Sequence, residues 1–296
     1  MPAPEPRPLR AAAARRGGGR EAAQDAADLD LMLEAAREAG HIARRHFRTG
    51  PTAWEKSGGK GPVSEADLEI DRMLRRRLLG ARPDYGWLSE ETEDSPARLS
   101  APAVFIVDPL DGTRAFLDGQ NGFCHALAVA RAGQVTAAVV HLPMLEQTYS
   151  ARIGAGAFRD GLRLTCPPRA SLTGARLLAS GEQLAPMHWP GGLPAVARHF
   201  RPALAWRLCL VAEGAFDGAV TLRDAWHWDI AAGALIACEA GALVTDRFGA
   251  ALRFNTRAPC SAGLIAGPEG VHSGLLAALG VGPGRDLADG PEAGPG

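Results

Sequence analysis

Lysine is almost missing from this 296-residue chain: of 32 basic residues, all but Lys56 and Lys60 are arginine. A GC-rich genome produces that bias on its own. Neither sign of charge is in excess, because 33 acidic residues bring the formal net charge to −1. That excludes the basic footprint of a nucleic-acid polymer binder or of a protein held to an anionic membrane. The balance is uneven along the chain. Arg7, Arg10, Arg15, Arg16 and Arg20 face only Glu5 within the first 20 residues, which leaves the remainder at a net −5.

Cysteine is sparse and scattered. Cys124, Cys166, Cys209, Cys238 and Cys260 form no CxxC pair, which excludes a zinc ribbon or a disulfide framework and fits a reduced, cytoplasmic protein. No apolar run reaches the roughly 18 residues of a membrane span, and the basic N-terminus lacks the apolar stretch of a secretory signal. No internal repeat is visible. The glycines at 17–19 and at 154 and 156 lack the strand and helix context of a dinucleotide fingerprint.

What is present is enough apolar sequence, 46% of residues, to build a sizeable core. Residues 1–25 and 282–296 read as disordered tails. Between them, Leu29, Leu31, Met32, Leu33, Ala36 and Ile42 give residues 28–47 a helical period with Gly40 as its weak point. A Gly-rich loop over 54–63 holds both lysines. Ser64, three residues before Asp67, opens a second amphipathic helix through Ala66, Ile70, Met73, Leu74 and Leu78. From Val104 the pattern turns to strands, 104–107, 126–131 and 135–143, an antiparallel meander with a turn at Gly133. After Cys166-Pro167-Pro168, shorter strands at 175–180, 219–222 and 264–267 alternate with helices at 206–213 and 229–240. The expected class is α/β in layers, with sub-domains at 26–165 and 166–281.

The most informative stretch is Val104-Phe-Ile-Val-Asp108-Pro-Leu-Asp111-Gly112-Thr113-Arg114. An apolar strand ends at Asp108, Pro109 stops it, and Asp111-Gly112-Thr113 opens a helix. Two carboxylates at such a bend can converge on one cation, and the Gly112 and Thr113 amides can cradle a phosphate. Asp111 and Asp229 also read as plain helix N-caps, and Asp108-Pro109 as a turn. Glu90 and Glu91, however, follow another apolar run, and Asp229 follows Trp226 and Trp228 just before a further apolar helix. Acids gathered in that way stay ionised only against a positive charge. A set of oxygen ligands without histidine or cysteine favours Mg²⁺ or Mn²⁺ over zinc.

DPLDGTRAF at 108–116 and WDIAAGALIACEAGALVTD at 228–246 resemble the two signatures of the inositol monophosphatase superfamily, and SEADLEID from Ser64 and LSEET from Leu88 resemble its upstream elements in the right order. The likeness covers residues 28–275. It implies the αβαβα sandwich of the inositol monophosphatase and fructose-1,6-bisphosphatase type, often dimeric, so a homodimer is expected. It implies a lithium-sensitive phosphomonoesterase using two or three Mg²⁺ per site on a small phosphorylated metabolite. Glu90, Asp108 and the Leu110 carbonyl would hold a first metal, and Asp108, Asp111 and Asp229 a second. Asp67 and Thr113 would orient the attacking water, with Glu90 counted in the catalytic set and Glu91 behind it. Gly112, Thr113, Arg114 and Arg207 would bind the substrate.

Arg114 after the threonine, the LSEE spelling and Arg207 in RLCLVAEG are similar to the bacterial 3'(2'),5'-bisphosphate nucleotidases. Inositol-type members usually place a glutamate for the sugar hydroxyls seven residues before the second-signature aspartate, where this chain has Leu222 followed by Arg223. A second basic group suits a second phosphate, so adenosine 3',5'-bisphosphate leads, followed by inositol 1-phosphate and histidinol phosphate. Arg114 and Arg207 also read as ordinary arginines of an arginine-rich protein. Lys56 and Lys60 read equally as neighbours of the metal site or as parts of a solvated loop. A binding protein that kept the fold and lost catalysis would show drifted ligands, and none has drifted.

Overall fold

The computed structural model describes residues 19–56 and 61–281. The chain opens with α1 (Gly19–His46), then a hairpin of β1 (Ala53–Glu55) and β2 (Pro62–Ser64), then α2 (Glu65–Ala81). Residues 19–25, expected in a tail, are the first turns of α1. The reason is a buried polar clamp. Asp25 accepts from Arg131 Nε at 3.0 Å and Thr136 Oγ1 at 2.9 Å, while Asp28 accepts from Arg82 Nε and the Tyr85 hydroxyl at 2.8 Å each. Local composition carried no trace of these distant partners. The tail readings for 1–18 and 282–296, and Lys60, lie outside the described residues.

β3 (Gly86–Ser89) lies parallel to β4 (Val104–Asp111), which leads into the single-turn α3 (Thr113–Leu117). From β4 an antiparallel meander continues through β5 (Cys124–Arg131), β6 (Gln134–Leu142), β7 (Gln147–Arg152), β8 (Gly156–Arg159) and β9 (Leu162–Arg163), giving a seven-stranded sheet in chain order. The second half supplies β10 (Arg176–Leu178), β11 (Ala197–His199), α4 (Leu204–Ala212), β12 (Gly218–Thr221), β13 (Ala225–Trp226), α5 (His227–Glu239), β14 (Leu243–Thr245), β15 (Cys260–Ser261), β16 (Leu264–Gly267) and α6 (Glu269–Ala278). Five of these strands form a mixed sheet in the order β11-β10-β12-β16-β14.

Side-chain alternation along the central strands builds the layers. Phe105, Val107, Leu127, Val129, Ala137 and Val139 face α1 and α2, in one core with Met32, Ile70 and Leu74. Val104, Ile106, Ala126, Ala128, Ala138 and Val140 face the other way, onto α4 and α5. The alanines on that second face, met by Ala231, Ala232 and Ala234 of α5, let the helices lie close to the sheet. The five-stranded sheet covers the far side of α4 and α5, and α6 closes it with Val271 and Leu275. The result is an αβαβα sandwich, as the sequence implied.

Gly40 has a packing role. A Cβ there would come within 2.8 Å of His141 Nε2 and 3.2 Å of Pro143 Cβ, so a glycine mid-helix lets α1 sit on the end of β6.

Candidate active site

The predicted carboxylates converge at the ends of β3 and β4 and the start of α5. Pro109 does not end β4. The strand carries on to Asp111, but its pairing with β5 slips between Asp108↔Ala126 and Asp111↔Cys124. One extra residue is accommodated as a β-bulge, where a proline lacking an N–H does no harm. The Leu110 amide turns to Asp108 Oδ1 at 2.9 Å. Gly112 then takes φ 97°, a left-handed value that favours glycine, and swings the chain into α3. That helix, the one the sequence placed after Asp111, is only five residues long.

Glu90, Asp108 and Asp229 each bring a carboxylate oxygen within 4.8 Å of the others. Burial first, and then the fields of Glu90, Asp111 and Asp229, push the Asp108 carboxyl well above its ordinary range. Asp229 is raised for the same reasons, burial before Asp111 and Glu90, and shares a side-chain hydrogen bond with Asp108. Two carboxylates can share one only when one of them is protonated. Asp111 stands slightly apart from this trio. Its Oδ2 accepts the Ala205 amide of α4 at 2.8 Å, and burial, opposed by the Ala205 and Leu204 amides, lifts it to about 6. The donor set is all oxygen and crowded with carboxylates, which fits a hard divalent cation.

Beside the trio, Asp67 accepts from the Ser64 amide at 2.9 Å and the Ser64 hydroxyl at 2.5 Å through Oδ2. Its Oδ1 lies 3.0 Å from Thr113 Oγ1, which also lies 3.1 Å from the Leu110 carbonyl. Ser64 thus caps α2 and aims the very carboxylate that reaches Thr113.

Lys56 belongs to the site. Its ammonium donates to Glu90 Oε1 and Glu91 Oε1, both at 2.6 Å, and of the two readings open for this residue the metal-site neighbour is the one the geometry selects. Burial lifts Glu91 to about 7 in spite of the Lys56 hydrogen bond, with Glu90 adding to the rise. Burial would lower Lys56, but the two glutamates outweigh it and hold it above its usual value.

The arginines divide. Arg114 is exposed on α3 and makes no ion pair with a described residue. Arg207 is 9% exposed, with Nε on the Arg201 carbonyl at 2.6 Å, Nη2 on the Pro202 carbonyl at 3.3 Å and its guanidinium 4.7 Å over the Phe200 ring. It feels the charges of Asp111, Asp229 and Arg223. Arg223 is exposed and close enough to Asp229 to favour its ionised form. Leu222 is buried in the apolar core beneath the five-stranded sheet, so no carboxylate stands at that position.

His125, whose Nδ1 meets the Pro109 carbonyl at 2.5 Å, was not singled out by sequence reasoning; one polar residue on an otherwise apolar strand was the only available signal.

A sequence model of the Inositol monophosphatase family matches residues 26–280. The chain belongs to that family. An inositol-1-monophosphatase of Rhizobium meliloti is 37% identical over 234 residues, covering 75% of this chain and 86% of the relative. A 3'(2'),5'-bisphosphate nucleotidase CysQ of Aggregatibacter actinomycetemcomitans is more distant, 29% identical over 237 residues, with 77% and 88% covered. Among solved structures, a Thermotoga maritima IMPase superposes with a TM-score of 0.74 at 29% identity, covering 85% of this chain and 96% of that one. The family supports a phosphomonoesterase. No helix among the described residues is long and apolar enough to cross a membrane.

Proposed function

We propose that this family member is a Mg²⁺-dependent phosphomonoesterase whose preferred ester carries a second anionic group, with adenosine 3',5'-bisphosphate as the leading candidate. The observation that carries the preference is the company kept by the acid trio. Arg223 and Arg207 lie within electrostatic reach of Asp229, Arg114 is exposed on α3, and an apolar Leu222 stands where a polyol would need a carboxylate. Trp226, 40% exposed, lies flat on Trp228 at 5.0 Å, three residues before Asp229, and gives a planar base an indole face to lie on.

In this reading Glu90, Asp108 and Asp229 hold magnesium, with Asp111 and the Leu110 carbonyl beside them. When bound, the metal supplies Lewis acidity toward the phosphate and a water made acidic enough to attack near neutral pH. Thr113 Oγ1, fixed by Asp67, presents an oxygen that orients the attacking water in line with phosphorus. Asp67 keeps its ability to take a proton because burial holds it above the ordinary aspartate range, against the pull of Ser64 and Thr113. Lys56, itself anchored by Glu91, holds Glu90 in place from behind.

A second reading, an inositol-1-phosphate phosphatase, is favoured by the higher identity to relatives of that name. Phosphate release from adenosine 3',5'-bisphosphate, inositol 1-phosphate and histidinol phosphate, measured side by side with Mg²⁺, tests both. A higher kcat/KM for either of the last two defeats the leading substrate.

A further inference from the structure

β5 is apolar from Cys124 to Val129 except at one residue, His125, which is fully buried. Its Nδ1 lies 2.5 Å from the carbonyl of Pro109, inside the bulge of β4. A carbonyl oxygen only accepts, so Nδ1 carries the hydrogen and donates. Nε2 is left bare, buried and without a partner among the described residues. Burial, with the His141 ring beside it, pushes the imidazole down to about 3, so the ring is neutral and its tautomer is set by Pro109.

Across the ladder, His125 is the register partner of His141, and the two rings stack with centroids 6.1 Å apart. His141 Nε2 is likewise buried without a described partner and rests against the bare backbone of Gly40, while its Nδ1 lies 3.0 Å from Thr148 Oγ1. A column of packed groups therefore runs from α1 through His141 and His125 to the bulge. Leaving ring nitrogens buried and unpaired is costly, and an alanine like its neighbours on β5 would avoid that cost. What an alanine would not supply is a donor to Pro109.

That bulge is where the site is shaped. Pro109 sits between Asp108 and Leu110, and the Leu110 amide and carbonyl are engaged by Asp108 and Thr113 respectively. A rotation of the Pro109 peptide would move all three. We propose that His125 is a positioning residue whose Nδ1–H, set on the Pro109 carbonyl, fixes the bulge that aims Asp108 and the Leu110 carbonyl at the cation. The role holds for whichever phosphate ester the enzyme takes.

Three variants separate this from packing alone. Asparagine places its amide nitrogen near the position of Nδ1, glutamine extends it toward the position of Nε2, and phenylalanine keeps a ring with no donor. Calorimetric titration of each purified protein with Mg²⁺ should show affinity reduced about tenfold or more in His125→Phe and His125→Gln, with His125→Asn at the wild-type value. In turnover assays the Mg²⁺ requirement should rise in the same order, while kcat at saturating Mg²⁺ returns. Equal Mg²⁺ affinity in all variants, with only the melting temperature shifted, overturns the proposal. An asparagine variant as weak as the phenylalanine one does the same. If His125→Phe does not fold, the comparison of asparagine with glutamine decides the question on its own.

Discussion

Asp67 holds Thr113 through a 3.0 Å contact between Oδ1 and Oγ1, while its other oxygen is pinned by the amide and hydroxyl of Ser64. A carboxylate tied to its own helix cap cannot swing away, so the threonine oxygen has one position. Removing either partner leaves the acid trio intact and takes away the group that orients the nucleophile. Asp67→Asn and Thr113→Ala should lower kcat by about 10²- to 10⁴-fold with Mg²⁺ affinity nearly unchanged. Thr113→Ser should recover most of the loss. Stopped-time phosphate release with a parallel Mg²⁺ titration checks this, and a variant that loses metal binding as well would reassign the pair to the metal site.

Asp108 is crowded by Glu90, Asp111 and Asp229 in the metal-free fold. Replacing it with asparagine removes a buried like charge and also removes a ligand. Asp108→Asn should therefore melt higher than the wild type without Mg²⁺ and abolish turnover. It should also lose most of the ligand-linked stabilisation, which for the wild type at 100 times Kd is worth about 2.7 kcal/mol. Retained Mg²⁺-dependent activity in this variant would remove the metal assignment.

The pH dependence has a sign that metal reverses. Glu91 at about 7 and Asp111 at about 6 are raised above their ordinary values in the metal-free fold. A raised carboxyl binds its proton more tightly when folded, so these groups stabilise the metal-free protein as pH falls through about 7 and 6 toward about 4. That stability is lost as pH rises. A cation needs the ionised forms and competes with those protons. The buried histidines 125, 141, 227 and 272 are lowered to about 3 or 4, each chiefly by burial. They weaken both forms below about pH 6.5 and largely cancel in the difference. The rise in melting temperature caused by Mg²⁺ should thus be large at about pH 8 and small at about pH 5. A constant rise across that range would show that protons on Glu91 and Asp111 do not compete with the cation.

Much of the site could be read from the sequence because its residues come in short runs with strong local grammar. Asp108, Asp111 and Thr113 share one strand-and-turn segment, Asp67 shares a capping box with Ser64, and Asp229 opens an apolar helix. The rest depends on pairings between distant segments. That Lys56 reaches Glu90 and Glu91 depends on where a glycine-rich hairpin folds back. The continuation of β4 past Pro109 depends on the register of β5. The early start of α1 depends on Arg131, more than 100 residues away, meeting Asp25 and Asp28.

That last clamp predicts a large stability effect far from the site. Asp28 is fully buried and takes hydrogen bonds from Arg82, Tyr85 and Arg131. Truncating it leaves Arg82 without its carboxylate and Arg131 with Asp25 as its remaining one, and breaking a buried pair in this way costs about 3–5 kcal/mol. Asp28→Ala should lower the urea midpoint markedly, whereas Glu34→Ala, which removes an exposed partner of Arg77, should cost about 1 kcal/mol or less. Similar losses in both would mean that the clamp is no stronger than a surface pair.

Arg223 offers the sharpest test of substrate choice because it is exposed, follows a buried leucine and touches the site only through its field on Asp229 and Arg207. If it meets a second phosphate, Arg223→Ala removes one charged contact to that group, worth about 1.5–3 kcal/mol, and kcat/KM for adenosine 3',5'-bisphosphate falls by about 10- to 100-fold. A singly phosphorylated ester has nothing to place there, so inositol 1-phosphate should lose far less. Because Arg223 also favours the ionised form of Asp229, both substrates should share a modest increase in the Mg²⁺ requirement. The ratio of the two kcat/KM values cancels that shared loss and isolates recognition. An unchanged ratio would show that Arg223 serves only Asp229, and would leave the exposed Arg114 as the cation for a second phosphate.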